Sequence, residues 1–380
     1  MKNYIIDIDE VEDRSWDHFQ DFTKTNTTDI VTHIKNNNVK SQDVYIEFKY
    51  TSEGTMWFIN GKWFMHAIHD FANSLNIPLK NITYTGTNAK LDTVYNKWHS
   101  IHVPEQDKIN LQFFSFGLTL YQGRYYRENE VLYIPNKINK NLRSKKFNCL
   151  NANMLEHRIL FLKEMYNQNV LDLENNLISF HWFKNLSRHV DAPQELKDMC
   201  PIQFDLVGDW EAVYSKIFEK DMHNTDWNKT GNFSYIYDDT YFTVTTESSE
   251  CYTLANYHRD DHINEYMKEF HEEMFLTEKI FRPILYWHPQ LVQCSTGTLD
   301  YLKQLGFKTF SNYWNEDYDN EPNGERRTQM IVSEVKKLNN KSLEELHEMY
   351  WDMMPILEHN RNLLLNHDFI RSPWYKTSRS

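Results

Sequence analysis

Glycine and proline are scarce in this chain, at 10 residues each of 380. That scarcity excludes a collagen-like, loop-dominated or low-complexity protein. Cysteine is scarcer still. Cys149, Cys200, Cys251 and Cys294 are widely spaced and form no C-x-x-C pair. They read as reduced core thiols, not a disulfide frame or a zinc site. No apolar run approaches the length of a membrane span, and MKNYIIDIDE places acids where a secretory leader needs an apolar segment. The expected setting is therefore cytoplasmic, that of a host cell if the protein is viral, with no membrane partner. Basic residues are also in deficit. The formal net charge of −13 argues against a surface that grips nucleic acid over its whole extent.

What is abundant is aromatic and apolar material. Apolar residues make up 40% of the chain and aromatics 15%, with 11 Trp and 23 Tyr. At this length one core is too small, and two domains are expected.

The first half alternates strand-like and helix-like segments. DVYIEFKY (43–50) alternates apolar and polar residues and ends in the turn TSEG. WFMHAIHDFANSL (63–75) has helical spacing and is stopped by NIP. NITYTG (81–86) reads as a strand, AKLDTVYNKWHSI as a helix and INLQFFSFG (109–117) as a buried strand. This order predicts parallel crossovers in an α/β layer.

VLYIPNKINKNLRSKK breaks the pattern with Lys137, Lys140, Arg143, Lys145 and Lys146, and reads as a basic connection. Alternation then resumes with the strand FNCL (147–150), the helix MLEHRILFLKEMYNQN and the strand LISFHWF (177–183). Residues 184–235 are irregular apart from a helix near WEAVYSKIFEK. DTYFTVTTES (239–248) is a strand. A helix, the strand PQLVQ, the segment GTLDYLKQLGF and a long helical region over about 342–365 complete the chain. The boundaries read as an N-terminal α/β domain over 1–135, a basic linker over 136–146, a second α/β domain over 147–340 and a helical segment over 341–380.

FLTEKIFRPILYWHPQLV (275–292) sets three charges, Glu278, Lys279 and Arg282, into an apolar run. Thr277 is a plausible N-cap, so the charges open a helix at the strand-to-helix edge where α/β domains bind ligands. Unpaired N–H groups there favour an anion. Lys279 and Arg282 add positive charge, and Glu278 can accept hydrogen bonds from ribose hydroxyls. A plain exposed Glu–Arg pair at i,i+4 explains the same spacing.

Together with YFTVTTESSE (241–250), this stretch resembles the nucleotide-sugar-binding half of the α1,3-fucosyltransferase family of GT-B glycosyltransferases. That family carries a Phe-Glu-Asn-Ser-like strand end, a Thr-Glu-Lys helix start and a strand after a small-residue-Pro-Val segment. FNCLNANMLEHRILFLKEM supplies Arg158 where the family has an arginine opening a helix. The resemblance covers roughly 145–312. It implies that Glu247, Glu278 and Lys279 bind a sugar nucleotide and that Arg158 faces its diphosphate. It departs at Thr246-Glu247-Ser248, where the family has Phe-Glu-Asn, and at Tyr286-Trp287-His288, where the family has a small Ala-Gly before Pro-Val. Proteins of tailed phages share the Thr-Glu-Lys helix and the GTLxYLxxLGFKTF pattern found at 297–310.

The resemblance implies two Rossmann-like domains facing across a cleft. It also implies inverting transfer from a nucleotide-sugar co-substrate without metal or other cofactor. The acceptor would be a glycan or small molecule, or a hydroxylated base of viral DNA touching the basic linker. Glu53, in the TSEG turn, is the candidate base, and it equally reads as a solvated turn carboxylate. Two other classes stay open: a non-catalytic nucleotide- or glycan-binding protein, and a metal-dependent GT-A-type transferase using Asp260, Asp261 and His262. His66 and His69 read as packing residues.

Overall fold

Alternating strands and helices with the spacing described above can bury their apolar faces only as parallel sheets covered by helices. The computed structural model describes residues 2–7, 32, 36, 39–49, 58–59, 62–113, 135–151, 156–172, 174–180, 234–247 and 274–366. They fall into two compact units. Described residues up to 113, with Met274 and Phe275, make the first; 135–247 and 276–366 make the second. Each is built on its own four-stranded parallel sheet, so the protein is α/β with two Rossmann-like sheets.

The first unit contains β1 (Lys2–Asp7), β2 (Val44–Lys49), the short pair β3 (Phe58–Ile59) and β4 (Lys62–Trp63), helix α1 (Phe64–Ser74), β5 (Ile82–Gly86), α2 (Leu91–His102) and β6 (Asn110–Phe113). The sheet order is β1-β2-β5-β6, all parallel. In that monotonic order right-handed crossovers fall on one face. Val44, Ile46 and Phe48 of β2 are accordingly buried, while Tyr45, Glu47 and Lys49 are half-buried. The core joins Phe48, Ile82, Tyr84 and Leu111 of the strands to Phe64, Met65, Ile68 and Trp98 of the helices. His69 is buried there, with Nδ1 2.8 Å from Gln106 Oε1 and Nε2 3.0 Å from Tyr95 Oη. His66 meets Trp98 edge-on. Both are packing residues, as expected.

The second unit contains β7 (Lys145–Asn151), α3 (Glu156–Asn167), β8 (Leu177–Phe180), the short α4 (Ser234–Tyr237), β9 (Thr240–Thr246), α5 (Glu278–Leu285), β10 (Gln290–Gln293), α6 (Thr298–Gln304), α7 (Gly324–Asn339), α8 (Leu343–Asp352) and α9 (Met354–Asn366). Its order, β10-β9-β7-β8, reverses direction between β7 and β9. Every residue of β9 and β10 is buried, as expected of a parallel sheet covered on both faces. The expected single C-terminal helix is two. A capping box of Ser342 and Glu345 starts α8, and Pro355, lacking an N–H, interrupts the ladder into α9.

The segment read as a basic linker is integrated into this unit. Lys145 and Lys146 are the first residues of β7, with their ammonium groups on the carbonyls of Glu174 and Asn339. Arg143 is 3% exposed and lies 3.9 Å from the Tyr350 ring centroid, with NH1 donating to Thr240 O. Lys137 and Lys140 are exposed. Of the five basic residues of this segment, Arg143 thus has its guanidinium in the core.

Candidate functional site

A parallel sheet binds ligands beyond the carboxyl ends of its strands, at the point where strand order reverses. In the second unit that point lies between β7, ending at Asn151, and β9, ending at Thr246. Glu247 follows β9 directly. Its N–H donates to Gln293 O of β10 at 3.0 Å, which keeps it in line with the sheet.

The first turn of α3 reaches this strand end with two side chains. Arg158, 2% exposed, donates from NH2 to the carbonyls of Thr246 and Glu247 at 3.3 and 3.1 Å. His157 donates from Nε2 to the same Glu247 carbonyl at 2.8 Å. Burial, reinforced by the Arg158 charge, pushes the His157 imidazole down to about 3. His157 is therefore neutral at physiological pH, and Nδ1 carries the lone pair.

Helix α5 enters from the other side of β9. Thr277 is its N-cap, with Oγ1 accepting from Lys279 N at 3.2 Å. The same hydroxyl donates to Glu247, 2.9 and 2.7 Å from the two carboxylate oxygens. Thr277 N–H donates to Oε1 at 2.6 Å. Glu247 is 0% exposed. Burial raises its carboxyl above the ordinary range, and Glu278 adds to the rise, outweighing Lys279 and Thr277. Both oxygens of Glu247, the residue that the resemblance sets against the sugar nucleotide, lie within hydrogen-bond distance of Thr277 at the start of α5.

Glu278 and Lys279 form an ion pair at 3.1 Å, with side chains 7% and 26% exposed. Burial alone would raise the Glu278 carboxyl. Lys279 and Arg282 overcome that and hold it below the ordinary value. Arg158, Lys279 and Arg282 against Glu247 and Glu278 leave one positive charge in excess. Such an edge can neutralise an anion and still offer a carboxylate to hydroxyl groups.

The departures from the family pattern have local causes. Trp287 takes a left-handed conformation, φ +51°, immediately after α5. It is held by Arg361, 3.7 Å from its ring centroid, and by Tyr350 Oη donating to its carbonyl at 2.9 Å. His288 is buried, donates from Nε2 to Thr240 O at 2.6 Å and accepts from Thr243 Oγ1 at 2.7 Å. It ties the return of the chain to β9.

Two residues at this edge have no counterpart in the sequence reading. Gln293, 0% exposed, donates from Nε2 to Thr328 Oγ1 at 3.0 Å and to His157 O at 3.4 Å. Arg327, 1% exposed, donates from NH1 to Cys294 O and Thr296 Oγ1, both at 3.0 Å. An N-cap signal at Asn323 ahead of the apolar spacing of Ile331, Val335 and Leu338 could have revealed α7. Nothing in the sequence marks Arg327 as buried.

Glu53 and the Asp260-Asp261-His262 segment lie outside the described residues. Among the described residues no group of three or more His, Cys, Asp or Glu is placed to hold a metal, and no helix is long and apolar enough to cross a membrane. No protein-family model and no curated protein matches the chain.

Proposed function

We propose that the protein is a glycosyltransferase that moves a sugar from a nucleotide-sugar donor to an acceptor hydroxyl, inverting and independent of metal. The observation that carries this reading is the gathering of Arg158, Glu278, Lys279 and Arg282 at the strand-order reversal of the second sheet. Arg158 and Lys279 neutralise the diphosphate as it leaves, which is where charge develops in the transition state. Glu278 accepts from the ribose hydroxyls. The likeness to the nucleotide-sugar half of the α1,3-fucosyltransferases supports the same roles, with the two units as GT-B domains.

In the reaction a base takes the acceptor proton, the oxygen attacks the anomeric carbon from the face opposite the diphosphate, and the bond to the diphosphate breaks. Glu53 is the proposed base. The excess of acid on the chain suits a neutral acceptor, a glycan or small hydroxylated molecule. The burial of Arg143 weakens the case for duplex DNA.

Release of nucleoside diphosphate from a panel of nucleotide sugars tests the activity and separates an enzyme from a module that only binds. Lys279→Ala should weaken nucleoside diphosphate binding by roughly 10- to 100-fold, the value of one charge-assisted contact of ~1.5–3 kcal/mol. Unchanged affinity in this variant would sink the assignment of the site.

A further inference from the structure

We infer that Arg327 is a second diphosphate-binding guanidinium of this site. The inference rests on the reading of the site as a nucleotide-sugar site and extends it to the end of β10. Strands β9 and β10 are parallel neighbours, paired through Thr246 and Gln293. The residues that follow this pair are Glu247 and Cys294. Arg158 donates to Glu247 O at 3.1 Å and Arg327 to Cys294 O at 3.0 Å. Adjacent strands are about 4.8 Å apart. The two guanidinium groups thus hang from carbonyls roughly one strand spacing apart, on the same edge of one sheet. A diphosphate, two phosphorus centres joined by one oxygen, is of comparable length.

The surroundings of Arg327 suit an anion. The chain passes from β10 to α6 through Cys294, Ser295, Thr296 and Gly297, with Gly297 at φ +81°. Arg327 fixes this hydroxyl-bearing loop through Cys294 O and Thr296 Oγ1. Gln293 ties the strand end to both α7 and the turn of α3 that carries Arg158. With Arg327 included, the edge carries four basic side chains against Glu247 and Glu278. Buried like charges on one sheet edge repel, and an anion between them relieves the repulsion. Guanidinium groups suit the task because their N–H forks match phosphate oxygens in pairs.

The experiment has two arms. In the wild-type protein, hydrogen–deuterium exchange is followed with inorganic pyrophosphate and with a nucleoside diphosphate. Slowed exchange is expected in peptides covering 294–297 and 324–328 as well as in those covering α3 and α5. In the second arm, Arg327→Lys is titrated with nucleoside diphosphates and the matching monophosphates. Diphosphate affinity should fall by about 10-fold or more, and monophosphate affinity by less than about 3-fold. Equal losses for both ligands would reduce Arg327 to a clamp on its loop and overturn the inference. Protection confined to α3 and α5 would do the same, leaving the nucleotide site intact. If no probe binds the wild-type protein at all, the reading of the site fails and takes the inference with it. The exchange arm needs no variant, so a poorly folding Arg327→Lys does not stall the test.

Discussion

Replacing Thr277 by valine keeps the shape of the side chain and removes one hydroxyl. That hydroxyl caps α5 through Lys279 N and donates to the buried carboxylate of Glu247. Loss of an N-cap costs about 1 kcal/mol, and loss of a hydrogen bond to a buried charged group about 1.5–3 kcal/mol. Thr277→Val should therefore destabilise the second unit by roughly 2.5–4 kcal/mol, while Thr277→Ser, which retains the hydroxyl, should stay much closer to wild type. Urea denaturation followed by tryptophan fluorescence measures the difference. The deficit should also depend on pH. Glu247 has a raised folded pKa, so the native state binds its proton more readily than the unfolded chain, whose value is about 4.3. In the window above that value, falling pH neutralises the carboxylate, and the lost bond is worth less. The Thr277→Val deficit should shrink on acidification. A variant within about 0.5 kcal/mol of wild type at neutral pH, or a deficit that grows with acid, would refute the reasoning.

His157 should contribute acid sensitivity. Its folded pKa of about 3 lies below the unfolded value of about 6.5, so its contribution is complete above 6.5 and is lost as pH falls from there towards 3. About 2 kcal/mol should be gone by pH 5, and denaturation of His157→Asn at pH 7, 6 and 5 should show that slope removed. At Trp287, both Gly and Ala lose the stack on Arg361, but only Ala keeps the strain of a left-handed Cβ. The Gly variant should therefore melt higher than the Ala variant, by a difference of about 1 kcal/mol; the opposite order would disprove strain at this position. Sugar transfer should survive EDTA. Complete loss restored by Mn²⁺ would move the chemistry to Asp260 and Asp261.

Periodicity carried most of the α/β order. β2, α1, β5, α2, α3, β9 and β10 lie where their spacing places them, and Thr277 caps α5 as its position suggests. β1 escaped because an edge strand needs only one apolar face: Ile6 is buried and Ile5 is 68% exposed. α7 escaped because its charges mask the stripe of Ile331, Val332, Val335 and Leu338. The same limit applied at the site. Sequence placed Glu278 and Lys279 at a helix start, but which way Glu247 turns depends on Thr277, thirty positions on. The fates of Arg143 and Arg327 likewise depend on rings and carbonyls brought in by tertiary contacts.

The burial pattern of β2 bears on how freely its sequence can change. Only alternate residues of β2 are buried in the core. Positions 45 and 49 should accept a wide range of side chains in a saturation library, position 47 fewer because Glu47 accepts from the buried Thr85 hydroxyl at 2.6 Å, and positions 44, 46 and 48 almost none but apolar ones. β9 and β10, buried on both faces, should show no such alternation. Read as a map of tolerated substitutions, β2 should carry a period of two, and β9 and β10 a continuous block.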